Sequence, residues 1–262
     1  MCVDLRQLKV LIFRMTWREI TLRYKGSILG LLWSFILPLL TVALYTFLFS
    51  YVFKAKWNEQ DSGLSNYAVI LFSGLILHNF LSDVLIRSCT VVRAQSNLVK
   101  KVVFPLHVLP AVVVFSASFQ MLVSLFVLTA MQLFLGGQLT IAAFALPFLL
   151  TPLIFFGLGA AWIISVLGVY LEDLGQVIGL ASTALMFSAP ILYPIKALPE
   201  FIHPWLYLNP LTFLVEQLRI VLLFGGIPNW FGLLIYYLVS MSVLAIGWWL
   251  FDRTKKGFAD VL

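Results

Sequence analysis

From Val102 to Leu171 the chain carries no Asp, Glu, Lys or Arg. A second uncharged stretch runs from Gly26 to Phe53, between Lys25 and Lys54. A helix over 28–53 would be roughly 39 Å long at about 1.5 Å per residue, against a hydrocarbon core of about 30 Å. It should tilt or extend into the headgroups. The composition agrees: 62% of residues are hydrophobic and 11% charged, where soluble domains carry about 25% charged residues. The fold class implied is an all-α integral membrane protein. The stretch 28–53 is too long for a signal-peptide core, and no small-residue cleavage site comes after it.

The pattern predicts six spans, at about 28–53, 67–88, 108–135, 141–169, 176–194 and 231–251. Gly136-Gly137-Gln138 is a turn signal that divides the long uncharged stretch into spans three and four. The segment 196–230 contains Pro199, Pro204, Pro210 and Pro228, and its apolar runs are too short to cross. Within it Asn209–Pro210 reads as a helix start, with Asn as the N-cap and Pro in the first turn. Glu216 and Arg219 then lie i, i+3 on that helix, as a surface ion pair or as part of a gate.

Charge sets the orientation. Arg6, Lys9, Arg14, Arg18, Arg23 and Lys25 precede the first span; Arg87, Arg93, Lys100 and Lys101 follow the second; Arg253, Lys255 and Lys256 follow the sixth. Only Lys54, Lys56, Lys196 and Arg219 fall on the other side. The positive-inside rule puts both termini in the cytoplasm. The net charge of +6 is then a topology signal rather than a nucleic-acid footprint.

In the N-terminal arm, residues 1–27, Phe13, Trp17, Ile20 and Tyr24 form one helical stripe, with Arg14, Arg18 and Lys25 beside it. That pattern suits an amphipathic helix in the membrane interface; a plain helix packed on the bundle is the alternative. In the first span Ser34, Pro38, Thr41 and Tyr45 make a weakly polar stripe that continues to Phe49. Gln176, Thr183 and Phe187 make a similar one in the fifth. Such stripes favour protein or water over lipid, and helix packing explains them as well as a channel does.

Catalytic patterns are missing. The sequence has no G-x-x-x-x-G-K-[ST], no H-E-x-x-H and no G-x-S-x-G. Cys2 and Cys89 have no partner spacing, and His78, His107 and His203 lie far apart in the expected topology. No metal site is expected. Glu172 and Asp173 read as an end-stop, Asp83 and Arg87 as a local ion pair, and His78–Asn79 as a packed pair with an interhelical hydrogen bond, an ion site being the alternative. Carriers coupled to protons or sodium use intramembrane carboxylates. Their near absence here places the energy source on another polypeptide.

The stretch "REITLRYKGSILGLLWSFILPLL" resembles the start of the permease subunits of bacterial polysaccharide ABC exporters, of the ABC-2 type. The matching residues are Arg23, Tyr24, Ser27, Leu29, Gly30, Leu32, Trp33 and Pro38. "YAVILFSGLILHNF", "NLVKKVVFPLHVLP", "APILYPIKALPE" and "LNPLTFLVEQLR" resemble later segments of that family in the same order. One departure is "YLEDLGQ", where Glu172 stands at a position that is basic in many members. The resemblance implies a homodimer of six-span subunits in the bacterial inner membrane, with two copies of a cytoplasmic ABC ATPase that bind ATP and Mg. This chain itself would hold no cofactor.

The cargo implied is a polysaccharide on an undecaprenyl-type lipid carrier, with O-antigen first and capsule or teichoic acid behind it. The loop 93–105 would couple to the ATPase through Gln95, Ser96, Asn97, Leu98, Val99, Lys100 and Lys101. Short re-entrant helices would form a periplasmic gate with Tyr193, Pro194, Trp205, Tyr207, Asn209, Pro210, Glu216 and Arg219. Arg14, Trp17, Arg18, Arg23 and Tyr24 would frame the cytoplasmic entry. Ser34, Thr41, Tyr45, Phe49, Gln176, Thr183 and Phe187 would face the translocation path. Competing readings are an ABC-2 exporter of a drug or lipid, a secondary transporter, and a membrane-embedded sugar transferase.

Overall fold

A computed structural model describes residues 5–48, 64–101, 104–135 and 140–261. Among these residues every regular element is helical. The helices are α1 (Leu5–Arg23), α2 (Trp33–Thr46), α3 (Leu64–Ser88), α4 (Ser96–Lys101), α5 (Val108–Phe134), α6 (Leu146–Tyr170), α7 (Leu174–Ser188), α8 (His203–Leu206), α9 (Pro210–Leu222), α10 (Trp230–Thr254) and α11 (Phe258–Val261). Four apolar segments are long enough to cross a membrane: Tyr67–Ser88, Val108–Phe134, Ile141–Tyr170 and Trp230–Gly257. They coincide with spans two, three, four and six of the sequence reading.

The first and fifth expected spans differ from the reading. Residues 28–53 are not one helix. The chain turns after α1 through Gly26 at φ 87 and Gly30 at φ 51, a left-handed backbone that glycine adopts at least cost. One 3-10 turn, Gly30–Leu32, leads into α2, which has 14 residues and Pro38 inside it. Helical backbone continues through Phe47 and Leu48 to the edge of the described residues. Residues 49–53 lie outside the described residues. The fifth expected span, 176–194, stops at Ser188 because Pro190 comes directly after Ala189. A residue before proline is pushed out of the helical region, and Ala189 is extended at φ -97, ψ 151.

α3 is the axis of the bundle. From Tyr67 to His78 every side chain is buried, which marks a helix surrounded by protein on all sides. α2, α5, α6, α7 and α9 all pack on it. The main core joins Phe72, Leu75, Ile76 and Phe80 of α3 with Val114, Met121 and Leu128 of α5 and Leu214, Val215 and Leu218 of α9. α6 and α10 form the closest pair. Their backbones meet where Gly159 faces Val243 and Gly247; a Cβ built on Gly159 would lie 2.5 Å from the Val243 carbonyl oxygen. Small residues permit this approach, and dispersion between the helices then holds it where lipid provides no hydrophobic drive. The opposite face of α10 exposes Phe231, Leu234, Leu238 and Trp249, an apolar surface suited to lipid.

A smaller cluster closes the end of the bundle where α10 stops. Val92, Trp162, Val166, Val169, Phe251 and Phe258 are its buried members, with Val99 of α4 packed against them. Phe258 is fully buried, and its ring lies edge-on to Phe251 and Tyr170.

Gly159→Leu should force α6 and α10 apart. Overpacking of this kind costs about 1–3 kcal/mol, so thermal unfolding of the purified chain in detergent should start several degrees lower. Gly175→Ala is the control, since nothing lies within 4 Å of a Cβ there and the transition should not move. Equal transitions for Gly159→Leu and the native chain would refute the close packing.

Candidate functional site

The sequence pairs Asp83 with Arg87, one helical turn apart on α3, and the structure makes that pair at 3.1 Å. It also extends it across helices. Arg87 meets Glu19 of α1 at 2.7 Å and donates to Ser116 Oγ of α5 at 2.8 Å. Asp83 takes both oxygens to Arg23 Nη2, at 2.9 Å each. Burial works against the charge of Arg23, but the Asp83 carboxylate beside it outweighs this and its pKa is raised. Two carboxylates and two guanidinium groups thus neutralise one another and pin α1 to α3.

The corner between α1 and α2 is tied to α5. Tyr24 donates to Gln120 Oε1 at 3.0 Å, and Gln120 Nε2 donates to the Ser34 carbonyl at 2.8 Å. Gly30 N–H donates to Ser27 Oγ at 3.0 Å. These bonds frame a cavity of about 600 Å³ lined by Arg23, Tyr24, Ser27, Trp33, Thr41, Asn79, Gln120 and Ser124, together with Leu37, Pro38 and Phe72. A chamber of about 220 Å³ adjoins it and shares Arg23, Asn79, Gln120 and Ser124. The cleft opens between α1, α2, α3 and α5.

The predicted entry residues divide by face. Arg14, Trp17 and Arg18 are exposed, as is Phe13, while Ile20 of the same stripe is buried. Arg23 and Tyr24 reach the cleft.

The predicted path residues do not share one surface within the subunit. Ser34 is fully buried and its hydroxyl donates to the Leu31 carbonyl, so it cannot meet a cargo; that expectation is corrected. Thr41 lines the cleft, and Tyr45 packs against the main core. Gln176, Thr183 and Phe187 are exposed on the outer face of α7, whose buried side holds Ser182 bonded to Ser82 at 2.6 Å. Phe49 lies outside the described residues.

The predicted coupling loop contains a short helix, α4. Asn97 and Lys100 are exposed, and Gln95, Ser96 and Leu98 are half-buried; the side chain of Lys101 lies outside the described residues. Val99 packs on its own chain, against the cluster around Phe258. Val99 is half-buried there, as Leu98 is, so the pair expected to enter a partner's groove is partly used within the chain. Beside this loop Arg93 meets Glu172 at 3.1 Å and donates to the Val169 carbonyl at 3.1 Å. Glu172 is therefore a bridge between two connecting loops rather than only an end-stop.

Between α7 and α10 lie two short helices. Asn209 caps α9 as expected: its side chain accepts from Leu211 N–H at 2.9 Å and donates to the Leu185 carbonyl at 2.8 Å. Tyr193 donates to the Phe187 carbonyl at 2.6 Å, beside half-buried Pro194. Trp205 is exposed. Tyr207 donates to Glu216 at 2.9 Å. Burial, then the Glu216 carboxylate, push the Tyr207 hydroxyl up to about 12, so it remains the donor at neutral pH.

Arg219, beyond Pro210 and Glu216 on α9, is not at a surface. It is 5% exposed, and it donates to the carbonyls of Ile70, Pro190 and Ile191 at 3.2, 2.7 and 3.2 Å and to Ser73 Oγ at 3.3 Å. The surface-pair reading is corrected. One guanidinium joins α9 to α3 and to the segment where Pro190 ends α7. Gly74 leaves it room, since a Cβ there would lie 3.2 Å from Arg219 Nη2.

Sequence reasoning passed over Glu19, Trp33, Asn79, Gln120 and Ser124 as site residues. The available signal was polarity within apolar helices: Gln120 is an amide inside the long uncharged stretch, and Glu19 is an acid within a basic arm.

Four helices long and apolar enough to cross a membrane, with a polar cleft against two of them, fit an integral membrane protein. Residues 10–223 match the model of the ABC-2 type transporter, and the chain belongs to that family. It is similar to the O-antigen export system permease protein RfbA of Klebsiella pneumoniae, 26% identical over 94% of this chain and 93% of that protein. The protein of the same description in Myxococcus xanthus is 25% identical over 98% of this chain and 97% of its own. The polysialic acid transport protein KpsM of Escherichia coli is 24% identical over 95% and 94%.

Two substitutions separate the roles of these contacts. Asp83→Asn should leave Arg23 and Arg87 short of a carboxylate. Partly exposed pairs are worth about 0.2–1 kcal/mol each, so residues 5–23 should exchange amide hydrogens faster while α10 is unchanged. Equal exchange would show that the pairs do not hold α1. Arg219→Lys removes a planar donor that reaches several acceptors at once. Hydrogen bonds to charged groups contribute about 1.5–3 kcal/mol each, so the melting temperature should fall well below that of Glu216→Gln. A fall no larger than that of Glu216→Gln would remove Arg219 as the tie.

Proposed function

We propose that this chain is the membrane-spanning subunit of an ATP-driven exporter that moves a lipid-linked polysaccharide, O-antigen first, across the bacterial inner membrane. The observation that carries the reading is similarity from end to end with permeases named for O-antigen export. The cargo would ride on an undecaprenyl-type lipid. Two copies of the chain would assemble with two copies of a separate ABC ATPase, which binds ATP and Mg. Both termini would face the cytoplasm, as the Lys/Arg distribution requires.

In this reading α2 and α7 complete six spans. α7, with 15 residues, is shorter than the bilayer core, and thinning of the bilayer or residues beyond the helix make up the difference. The exposed faces of the two helices, with Gln176, Thr183 and Phe187 on α7, would meet the second copy and line the path with Thr41 and Tyr45. α8 and α9 would form the periplasmic gate. Irregular backbone at membrane depth is tolerated where protein covers it, and Arg219 provides that cover for the segment after Pro190. α4 would dock on the ATPase through Leu98, Asn97 and Lys100, backed by Val99 and Phe258.

The test is deletion of this chain in its host, with the purified protein assayed beside it. Surface polysaccharide should disappear, and lipid-linked glycan should accumulate on the cytoplasmic side. The purified chain should hydrolyse no ATP until its ATPase is added. Intact surface polysaccharide, or hydrolysis by the single polypeptide, would overturn the reading.

A further inference from the structure

Two polar side chains in the cleft between α1, α2, α3 and α5 have no hydrogen-bond partner among the described residues. Ser124 is 8% exposed and lines both parts of the cleft, with its hydroxyl unbonded. The Asn79 amide opens into the same space and is likewise unbonded. Asn79 is exposed in the cleft, and among the described residues no bond competes for its amide or for the Ser124 hydroxyl, so both can bond to a molecule that enters.

Charge and shape narrow the ligand. The Arg23 guanidinium is committed to both oxygens of Asp83, and the rest of that network is paired as well. A phosphate would have to displace a carboxylate, and a cation would meet Arg23. An acyl chain would leave Asn79 and Ser124 unsatisfied. The ligand that fits is neutral, rich in hydroxyls and apolar on one face. Trp33 adds an aromatic ring to the same lining, and the cavity of about 600 Å³ is the size of a small-molecule site, typically about 300–1,000 Å³.

We propose that this cleft binds one pyranose unit, its CH face on Trp33 and its hydroxyls on Asn79 and Ser124. The inference deepens the export reading and rests on it for the source of the sugar. It assigns the subunit a place where the glycan is held before passage, separate from the exposed face of α7. The neutral lining also predicts selectivity: a uronic acid should bind less well than the parent hexose, because among the described lining residues the one cation, Arg23, is already held by Asp83.

The experiment uses the whole transporter in lipid nanodiscs, with Ser124→Cys in a chain carrying Cys2→Ser and Cys89→Ser. A small hydrophilic methanethiosulfonate labels the new thiol, with and without the methyl glycosides of glucose, galactose, mannose and rhamnose. A site filled at ten times its Kd is labelled about tenfold more slowly, so at least one glycoside should slow the reaction saturably. Asn79→Ala should abolish that protection without changing the rate in the absence of sugar.

A reactive thiol that no glycoside protects overturns the proposal. So does protection that tracks the phosphatidylglycerol content of the nanodisc and ignores sugar, which would make the cleft a headgroup site. If Ser124→Cys fails to fold, saturation-transfer NMR of the same glycosides decides the matter: signal on the native transporter that Asn79→Ala removes supports the site, and its absence on the native transporter overturns it. Protection seen in a chain whose deletion leaves surface polysaccharide intact would support the site while refuting the export reading.

Discussion

In a bilayer a peptide group or side chain that lacks a hydrogen-bond partner finds no water to replace it. Arg219 meets that constraint at the hardest point of the chain. The segment after α7 cannot continue as helix because Pro190 interrupts it, so carbonyls at Pro190 and Ile191 are left facing inward. The Arg219 guanidinium meets both, and also meets the Ile70 carbonyl on α3. Burying a cation to do this is expensive unless its donors are used, and these bonds engage Nε, Nη1 and Nη2. The same requirement places α9 beside α3, removes a side chain at Gly74, and brings the Tyr67 hydroxyl within 3.1 Å of the Leu192 carbonyl. The short-helix region is thereby part of the bundle rather than an appended loop.

At the other end the bundle handles charge differently. Glu19, Arg87, Asp83 and Arg23 alternate in sign and are only partly exposed. Each pair is weak alone, but together they hold α1 against α3 with their charges balanced. That neutrality shapes the cleft. With its ions paired, the cleft presents hydroxyl, amide and aromatic groups, a chemistry suited to neutral polar molecules. The loops at this end are also cross-linked, by Arg93 with Glu172 and by Val99 packed against the cluster that holds Phe258. A push on α4 would therefore reach both α6 and α10.

Much of the fold was legible because its causes are local. Uncharged runs placed α3, α5, α6 and α10. Asn209 before Pro210 announced the cap of α9, and Asp83 four residues before Arg87 announced their pair. The end of α7 was legible too, since Ala189 precedes Pro190, but the hydrophobicity of Ile191 and Leu192 carried the expected span past it. Hydropathy measures the solvent a segment prefers and is indifferent to whether its backbone can stay helical.

The sequence alone determined the class of environment, the four long helices and the signals at helix ends. Those depend on residues within a turn or two of each other, where spacing is geometry. Tertiary structure alone decided that Arg219 is inside, that Ser34 is sealed, that Val99 packs against the cluster around Phe258, and that Asn79, Ser124 and Trp33 face one cleft. These residues lie far apart along the chain, and the helical period says which face each occupies but not which neighbour it meets. That choice was made by packing, where Gly159 and Gly247 let two backbones touch and Gly74 left room for one guanidinium.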